Sequence, residues 1–171
     1  MRLNHVLIPL ALVAGIPAAA QAEAIPDNPA IDYPAYARLV GELGPLRAER
    51  RLDWEEFAKQ ARVRGALLLD ARSESAFARG HLKGAVNLPF TDFTAESLKA
   101  LIGTNPDRPI YIYCNNNFTN DRDPVKTKAA PLALNIQTFV NLYGYGYRNI
   151  WELADRIDFA DPRHGWTSKQ G

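Results

Sequence analysis

The sequence predicts an α/β domain built on a mostly parallel sheet with helices on both faces. Four short apolar runs alternate with segments of helical pattern; the runs are ALLLD (66–70), AVNLP (85–89), PIYIYC (109–114) and NIWEL (149–153). Strands that alternate with helices are joined by crossovers and pair in parallel. The chain has 171 residues, about one domain's worth. Its 47% hydrophobic and 23% charged residues are ordinary for a globular protein.

The first 22 residues have the pattern of a secretory signal peptide. Arg2 precedes the apolar stretch VLIPLALVAGIPAAA, and the small residues around Gln21 form a cleavage pattern. The apolar stretch is shorter than the ~20 residues that span a bilayer, and two prolines interrupt it, which argues against an uncleaved anchor. We expect cleavage after Ala22, a periplasmic or secreted protein, and no membrane association after cleavage.

The charge balance indicates no polyanionic partner. Lys plus Arg number 20 and Asp plus Glu number 19, and loss of Arg2 with the signal would make these totals equal. A chain without net charge has no general attraction for nucleic acid or for an anionic membrane. We therefore expect neither of them as a partner, and we expect a monomer.

A proline-rich segment opens the part that follows the signal. It begins EAIPDNPAIDYPA, with little periodicity, so we interpret residues 23–49 as an N-terminal arm. Apolar residues recur at helical spacing over 36–46 and predict one short helix within this arm.

Helix-start signals fall between the predicted strands. Asp53 can cap a helix over 53–65, with Glu56 reaching back to it as in a capping box. SESAFAR is typical of one or two helical turns, stopped by Gly80. TAESLKALIG (94–103) has a threonine cap at its start and a closing glycine, and it predicts a further helix.

Two more helices are expected after the third predicted strand. Asp123 is a cap followed by a proline suited to a first helical position, which predicts a brief helix over 124–130. Asn135 can cap a longer helix that closes at Gly144. Residues 50–158 would then form one domain, and residues 159–171 a C-terminal tail.

Cys114 is the only cysteine of the chain and ends a predicted strand. A single cysteine in an exported protein is an inert buried residue, half of an intermolecular disulfide, or a thiol kept for chemistry. Three asparagines follow it, and asparagine tolerates the left-handed backbone region of a tightly curled loop. Converging backbone N–H groups and a helix N-terminus would stabilise the thiolate, which is the attacking form of cysteine.

The stretch LLLDARSESAFARGHLKGAVNLPF resembles the Asp-x-Arg and Gly-His-x-x-Gly-Ala-x-Asn-x-Pro signature of the rhodanese family. The matching residues are Asp70, Arg72, Gly80, His81, Gly84, Ala85, Asn87 and Pro89. Cys114 stands where the family places its catalytic cysteine, and GYRNIWEL resembles the family's closing elements. The resemblance covers residues 50–155. It implies a single domain with a five-stranded, mainly parallel sheet between layers of helices.

The resemblance also implies a sulfurtransferase with Cys114 as catalytic residue. In the family the thiolate takes a sulfane sulfur from a donor such as thiosulfate, becomes a persulfide, and passes the outer sulfur to cyanide or to a thiol, which can belong to a protein. No metal or organic cofactor takes part. Asp70, Arg72 and His81 would support the site. The residues themselves favour an internal ion pair between Asp70 and Arg72, and a turn histidine bonded to the backbone.

The segment after the cysteine departs from the family, which enters a helix after a short loop. Here residues 115–134 intervene, and we call them the insertion. The side chains expected to meet substrate are Asn115, Asn116, Asn117, Phe118 and Arg122. Asparagine amides can donate to a persulfide or to an oxyanion donor, and the basic residues Arg122, Lys126 and Lys128 can bind the donor's oxygens or simply solvate a helix. The insertion's acidic residues lack the spacing and glycine of a calcium loop, so no metal is expected.

Three other functions are known or possible for a domain of the predicted fold. Phosphatases of related fold place an arginine six positions after the cysteine, and Asn120 stands there, which argues against phosphoryl transfer. A catalytically inactive binding module could use the insertion as a recognition surface. A redox protein could form a mixed disulfide with a partner thiol through Cys114.

Overall fold

The computed structural model describes residues 28–168. The signal peptide predicted for residues 1–22 therefore lies outside the described residues. The chain divides into two units, residues 1–32 and residues 33–171. In the first, the Ile31 N–H donates to the Asn28 carbonyl at 2.9 Å. The described helices include none with the length and apolar character needed to cross a membrane.

A five-stranded sheet forms the centre of the second unit. In chain order its strands are β1 (Arg51–Leu52), β2 (Leu67–Asp70), β4 (Val86–Asn87), β5 (Ile110–Tyr113) and β6 (Ile150–Leu153). They lie in the order β1-β6-β5-β2-β4, and every neighbouring pair is parallel. The predicted parallel α/β class is confirmed. The edge strand β1 was not predicted, because two residues carry no periodic signal.

Helices cover both faces of this sheet, as predicted. They are α1 (Tyr33–Glu49), α2 (Trp54–Gln60), α3 (Glu74–Arg79), α4 (Ala95–Ile102) and α5 (Leu134–Gly144). Alternating strand residues such as Leu69 and Ile112 pack with α4 and α5. The intervening residues, such as Tyr113, pack with Phe57 of α2, a side chain whose burial contributes about 1.5–3 kcal/mol.

The helix starts agree with the caps predicted for α2 and α4. Asp53 Oδ1 accepts from the Glu56 N–H at 2.9 Å, although the Glu56 carboxylate binds Gln60 and Lys59 instead of reaching back. Thr94 heads a complete capping box at the start of α4. Two lengths differ from expectation, because α1 extends beyond 36–46 on both sides and α2 ends at Gln60, well before residue 65.

The path of the insertion corrects two predictions. The helix predicted over 124–130 is wrong: residues 125–129 have no regular structure, because their backbone bonds to asparagine side chains described below. The next helix, α5, does begin near Asn135, but its N-cap is Ala133. Asn135 lies within the first turn, with its side chain buried.

The C-terminal segment is part of the packed unit. Strand β3 (His81–Leu82) pairs antiparallel with β7 (Trp166–Thr167). The Trp166 ring lies 5.1 Å from the Phe118 ring and 5.0 Å from the Phe159 ring, centroid to centroid. Residues 159–168, predicted as a tail, therefore close the α2 face of the sheet.

Candidate active site

Strand β5 delivers Cys114 to the carboxyl edge of the sheet. Ile110 and Ile112 point to the face covered by α4 and α5, and Cys114 follows them with the same period of two. Its backbone is extended, and only 1% of the residue is exposed. The thiol is free, and it lies under the beginning of α5.

Backbone N–H groups from two segments converge on the Cys114 sulfur. Asn116 and Asn117 supply theirs from a 3-10 turn, Asn115–Asn117. Leu134 and Asn135 supply theirs from the first turn of α5. The turn and helix N-terminus predicted around the thiol are therefore both present, because the insertion returns to start α5 beside the cysteine.

The net effect of these surroundings on the thiol differs from the expectation. Burial raises the pKa of the Cys114 thiol above its ordinary value, and the negative charge of Glu152 acts in the same direction. The N–H donors of Asn135, Asn116 and Leu134 lower the pKa but do not overcome burial. The thiolate is therefore a minor form near neutral pH.

Asn117 connects the cysteine to the neighbouring strand. Its Oδ1 accepts from the Cys114 N–H and from Asn135 Nδ2, both at 2.9 Å. Its Nδ2 donates to the carbonyls of Leu153 at 2.8 Å and Asp155 at 3.0 Å. All four hydrogen-bonding positions of this amide are used within the protein, so Asn117 holds the turn in place and has none left for a substrate.

The two other asparagines hold the returning limb of the insertion. Asn115 Nδ2 donates to the Lys126 carbonyl at 2.8 Å. Asn116 Nδ2 donates to the Lys128 carbonyl at 2.8 Å, and its Oδ1 accepts from the Lys128 N–H at 3.0 Å. These side chains, predicted to meet substrate, thus bind the protein's own backbone.

Two further residues predicted to contact substrate lie elsewhere. Phe118 is fully buried in the core on the α2 side, with its ring against Tyr113, Phe159 and Trp166. The Arg122 guanidinium stacks over the Phe159 ring at 5.2 Å. Neither lines the cavity that contains Cys114. A sequence pattern could not show this, because the chain turns away from the site after Asn117 and returns only at Thr127.

A cavity of about 480 Å³ opens beside Cys114, and we call it the Cys114 cavity. Asn116 and Asn117 line one side. The charged residues that line it are Arg51, Lys128, Arg156 and Glu152. Three cations face one carboxylate, so the cavity favours an anionic ligand. Cys114 lines the same cavity, so such a ligand would lie beside its thiol.

The Asp70–Arg72 pair lies on the other side of the sheet. Arg72 Nη2 is 2.6 Å from Asp70 Oδ2, and both side chains are buried. The Tyr113 hydroxyl also donates to Asp70 Oδ2 at 2.6 Å, and burial raises the pKa of that hydroxyl well above its ordinary value. The internal ion pair favoured by the sequence is confirmed, and it contributes no side chain to the Cys114 cavity.

His81 is bonded to the backbone, as its turn position suggests. Its Nδ1 lies 2.8 Å from the Phe77 carbonyl, and its ring stacks on Phe77 at 3.7 Å. It does not line the Cys114 cavity. In residues 28–168, no group of three or more His, Cys, Asp or Glu side chains is arranged to hold a metal ion.

Several residues of the site were not found from the sequence. Arg51 and Arg156 line the cavity from separate segments, and charged surface residues give no signal of such convergence. Lys128, which also lines the cavity, was a candidate for donor binding together with Arg122 and Lys126, neither of which lines it. Glu152 did carry a signal, because an acidic residue in the apolar run NIWEL is unusual in a buried strand. Asn135 was noticed only as a possible cap.

Most of the second unit matches a known family model. The family model for the rhodanese-like domain matches residues 53–154, which run from the cap of α2 to the end of β6. The chain belongs to the rhodanese-like domain family. Cys114, which directly follows β5, lies within the matched residues.

One curated relative and two solved structures give the range of similarity. The uncharacterized protein YqhL of Bacillus subtilis (strain 168) is 37% identical over 76 residues, which are 44% of this chain and 56% of that protein. The chain thus matches little more than half of that relative's length.

The crystal structure of the BH2092 protein from Bacillus halodurans matches with a TM-score of 0.50 and 18% identity, over 81% of this chain and 87% of that one. A polysulfide-sulfur transferase homodimer from Wolinella succinogenes matches with a TM-score of 0.41 and 17% identity, over 70% of this chain and 79% of that one. The identity to the Bacillus halodurans protein is low, and that likeness concerns the fold alone.

Proposed function

We propose that this rhodanese-like domain is a sulfurtransferase that moves a sulfane sulfur through a Cys114 persulfide. The observation that carries the proposal is the position of Cys114, at the end of β5, under N–H groups of the turn 115–117 and of the first turn of α5. An anionic sulfur is the species that such donors stabilise. The same donors would serve the thiolate and the persulfide anion.

The proposed reaction conserves atoms and electrons. The Cys114 thiolate attacks the outer sulfur of a donor such as thiosulfate, an S–S bond forms, and sulfite leaves with the electron pair of the donor's S–S bond. A thiolate or cyanide ion then attacks the outer sulfur of the persulfide, and Cys114 leaves as a thiolate. The donor and the acceptor are small molecules, and the acceptor can also be a protein thiol. No cofactor is required.

The charges of the Cys114 cavity support an anionic donor. Arg51, Lys128 and Arg156 line it, and Lys128 is brought there because Asn116 binds its backbone at two points. Sulfonate-type oxygens are good acceptors for such cations. We therefore assign donor binding to these residues instead of Arg122.

Intact mass spectrometry tests the proposal. Incubation of the purified protein with thiosulfate should add the mass of one sulfur, which cyanide should remove, and Cys114→Ser should show no gain. Lys128→Gln should slow loading by about tenfold, which corresponds to the lower end of the roughly 1.5–3 kcal/mol of a charged hydrogen bond, because Lys128 is exposed. Lys126→Gln is the matched control, because Lys126 lies in the insertion but does not line the cavity. Absence of any mass gain from a thiol that still reacts with an alkylating agent would reject sulfur transfer.

The burial of Cys114 favours a second candidate, a catalytically inactive binding module that uses the insertion as its contact surface. A thiol-redox partner protein that uses the same surface is the remaining alternative, and it needs the thiol to become accessible. Only 1% of Cys114 is exposed. If the protein is a binding module, the Cys114→Ser variant should still bind a partner protein that has been isolated with the wild type. If it is a redox protein, Cys114 should be recovered in a mixed disulfide with that partner.

We also propose that the protein is exported and acts as a monomer. The signal pattern of residues 1–22 supports export. N-terminal sequencing of the protein from its native compartment should start at Glu23. Sedimentation should give the mass of one chain.

A further inference from the structure

An ion pair lies next to the reactive thiol. Arg47 Nη2 of α1 is 2.6 Å from Glu152 Oε1 of β6. The Glu152 side chain is 5% exposed and the Arg47 side chain 27%. Helix α1 precedes residues 53–154, so Arg47 comes from outside the part of the chain that the family model matches.

The sheet register places Glu152 on the same face as Cys114. Glu152 is the parallel partner of Ile112, and Cys114 follows Ile112 by two residues on the neighbouring strand. Strand spacing and rise put two such positions about 8 Å apart. Both residues line the Cys114 cavity.

Asn135 connects the carboxylate with the thiol. Its backbone N–H donates towards the Cys114 sulfur, and its Nδ2 lies 3.3 Å from Glu152 Oε1. Glu152 Oε2 is buried and makes no hydrogen bond with any atom of residues 28–168. A buried carboxylate whose second oxygen is unpartnered projects its charge strongly onto its neighbours.

The charges around the thiol come from several elements. Arg51 of β1, Lys128 of the insertion and Arg156 after β6 line the cavity, but Arg47 is the cation that forms an ion pair with Glu152 in the described part of the chain. Because Glu152 raises the pKa of the Cys114 thiol, the cation that offsets its charge affects the thiol as well.

We propose that Arg47 and Glu152 are positioning residues that together set the reactivity of Cys114, so that α1 completes the site. Glu152 opposes formation of the thiolate, and Arg47 reduces that opposition. The inference deepens the proposed function because it concerns the same thiol. It does not require sulfur transfer for its test.

The test is the rate of alkylation of Cys114 by iodoacetamide as a function of pH, in the 171-residue chain, where no second cysteine reacts. In Glu152→Gln the midpoint of the profile should move to lower pH, and alkylation near neutral pH should be roughly tenfold faster, by Coulomb's law at this separation. Arg47→Met should move the midpoint to higher pH, and Arg47→Lys should restore most of the wild-type profile. Arg38→Met is the control, because Arg38 is exposed on the same helix, and this variant should have the wild-type midpoint.

A purely structural role gives a different result. Loosening of the fold would relieve the burial that raises the pKa of the Cys114 thiol, so it would move the midpoint to lower pH in both variants, whereas the inference expects opposite shifts in Glu152→Gln and Arg47→Met. Unchanged midpoints in Glu152→Gln and Arg47→Met would overturn the inference. Where Arg47→Met does not fold, Glu152→Gln carries the test, and an unmoved midpoint in that variant alone overturns the inference. A midpoint shift without sulfur loading of the wild type would uphold the inference and reject the sulfurtransferase.

Discussion

Asn117→Ala should be among the most destabilising single substitutions near the site. The change removes four hydrogen bonds, those to the Cys114 N–H, Asn135 Nδ2 and the carbonyls of Leu153 and Asp155. Each bond contributes about 1 kcal/mol net, and buried groups left without a partner cost more. Asp155 is exposed and its carbonyl can bind water, which limits the sum. We expect a loss of about 3–5 kcal/mol in the free energy of unfolding.

Asn116→Ala is the matched control for this substitution. The neighbouring amide makes two bonds, both to the exposed backbone of Lys128. Water can replace these partners, so the loss should be about 1 kcal/mol or less. Both variants are to be unfolded with urea under reducing conditions, and the midpoints and slopes compared with wild type.

Asn116 and Asn117 are adjacent asparagines of one turn, so the two variants differ mainly in the burial of the amide and in the number of hydrogen bonds that are lost. Equal losses in the two variants, within about 0.5 kcal/mol, would refute the reasoning, since that is the scale of ordinary surface substitutions. A smaller slope for Asn117→Ala alone would mean that the turn is already open in its native state.

Three further predictions concern the surrounding fold. Gly80→Ala should destabilise the protein by about 1–3 kcal/mol, because a Cβ there would lie 2.4 Å from the tryptophan ring of β7. Gly41→Ala on α1 has open space around its Cβ and should stabilise the protein by about 0.5–1 kcal/mol. Thermal unfolding of both variants checks this, and a change of the same sign in the two unfolding temperatures would contradict it. Asp70→Asn should cost about 3–5 kcal/mol by urea unfolding, since it leaves Arg72 charged, buried and unpaired; a loss under 1 kcal/mol would show that the pair is dispensable. The pKa of the Cys114 thiol is raised in the folded protein, so the folded state holds the thiol proton more tightly than the unfolded state. The thiol's contribution to the free energy of unfolding is full below the ordinary thiol pKa of about 8.5, and it is lost as the pH rises through the pKa of the folded protein. Stability should therefore fall more steeply with alkaline pH in wild type than in Cys114→Ala, and parallel curves would contradict the shift.

The sheet could be predicted because its signal is local. The runs ending in Asp70, Cys114 and Leu153 are apolar and bounded by helix caps, and each became a strand of the parallel sheet. The edge strand β1 and the β3–β7 pair were not predicted, since two-residue strands depend on partners far away in the chain. The position of Cys114 followed from the same local pattern.

The details of the site depend on contacts that the sequence does not show. Asn135 has the residue type of a helix cap, but its amide binds Asn117 and Glu152 because the first turn of α5 lies against β6. Phe118 follows the cysteine as a pocket residue would, yet it is drawn to the opposite face by the aromatic core there. For Asn135 the tertiary contacts outweigh a cap preference of about 0.5–2 kcal/mol, and for Phe118 burial of the ring contributes about 1.5–3 kcal/mol.

The insertion is compatible with a working site because its ends are fixed. Lengthening a short loop about threefold costs only about 1 kcal/mol of closure entropy. Val125 is fully buried, which offsets about 1.5–3 kcal/mol, and the bonds from Asn115 and Asn116 add to this. The first turn of α5 therefore lies within hydrogen-bonding distance of the Cys114 sulfur, as it would after a short loop. What the insertion adds is Lys128 at the cavity wall, so we expect it to change the choice of donor rather than the chemistry at sulfur.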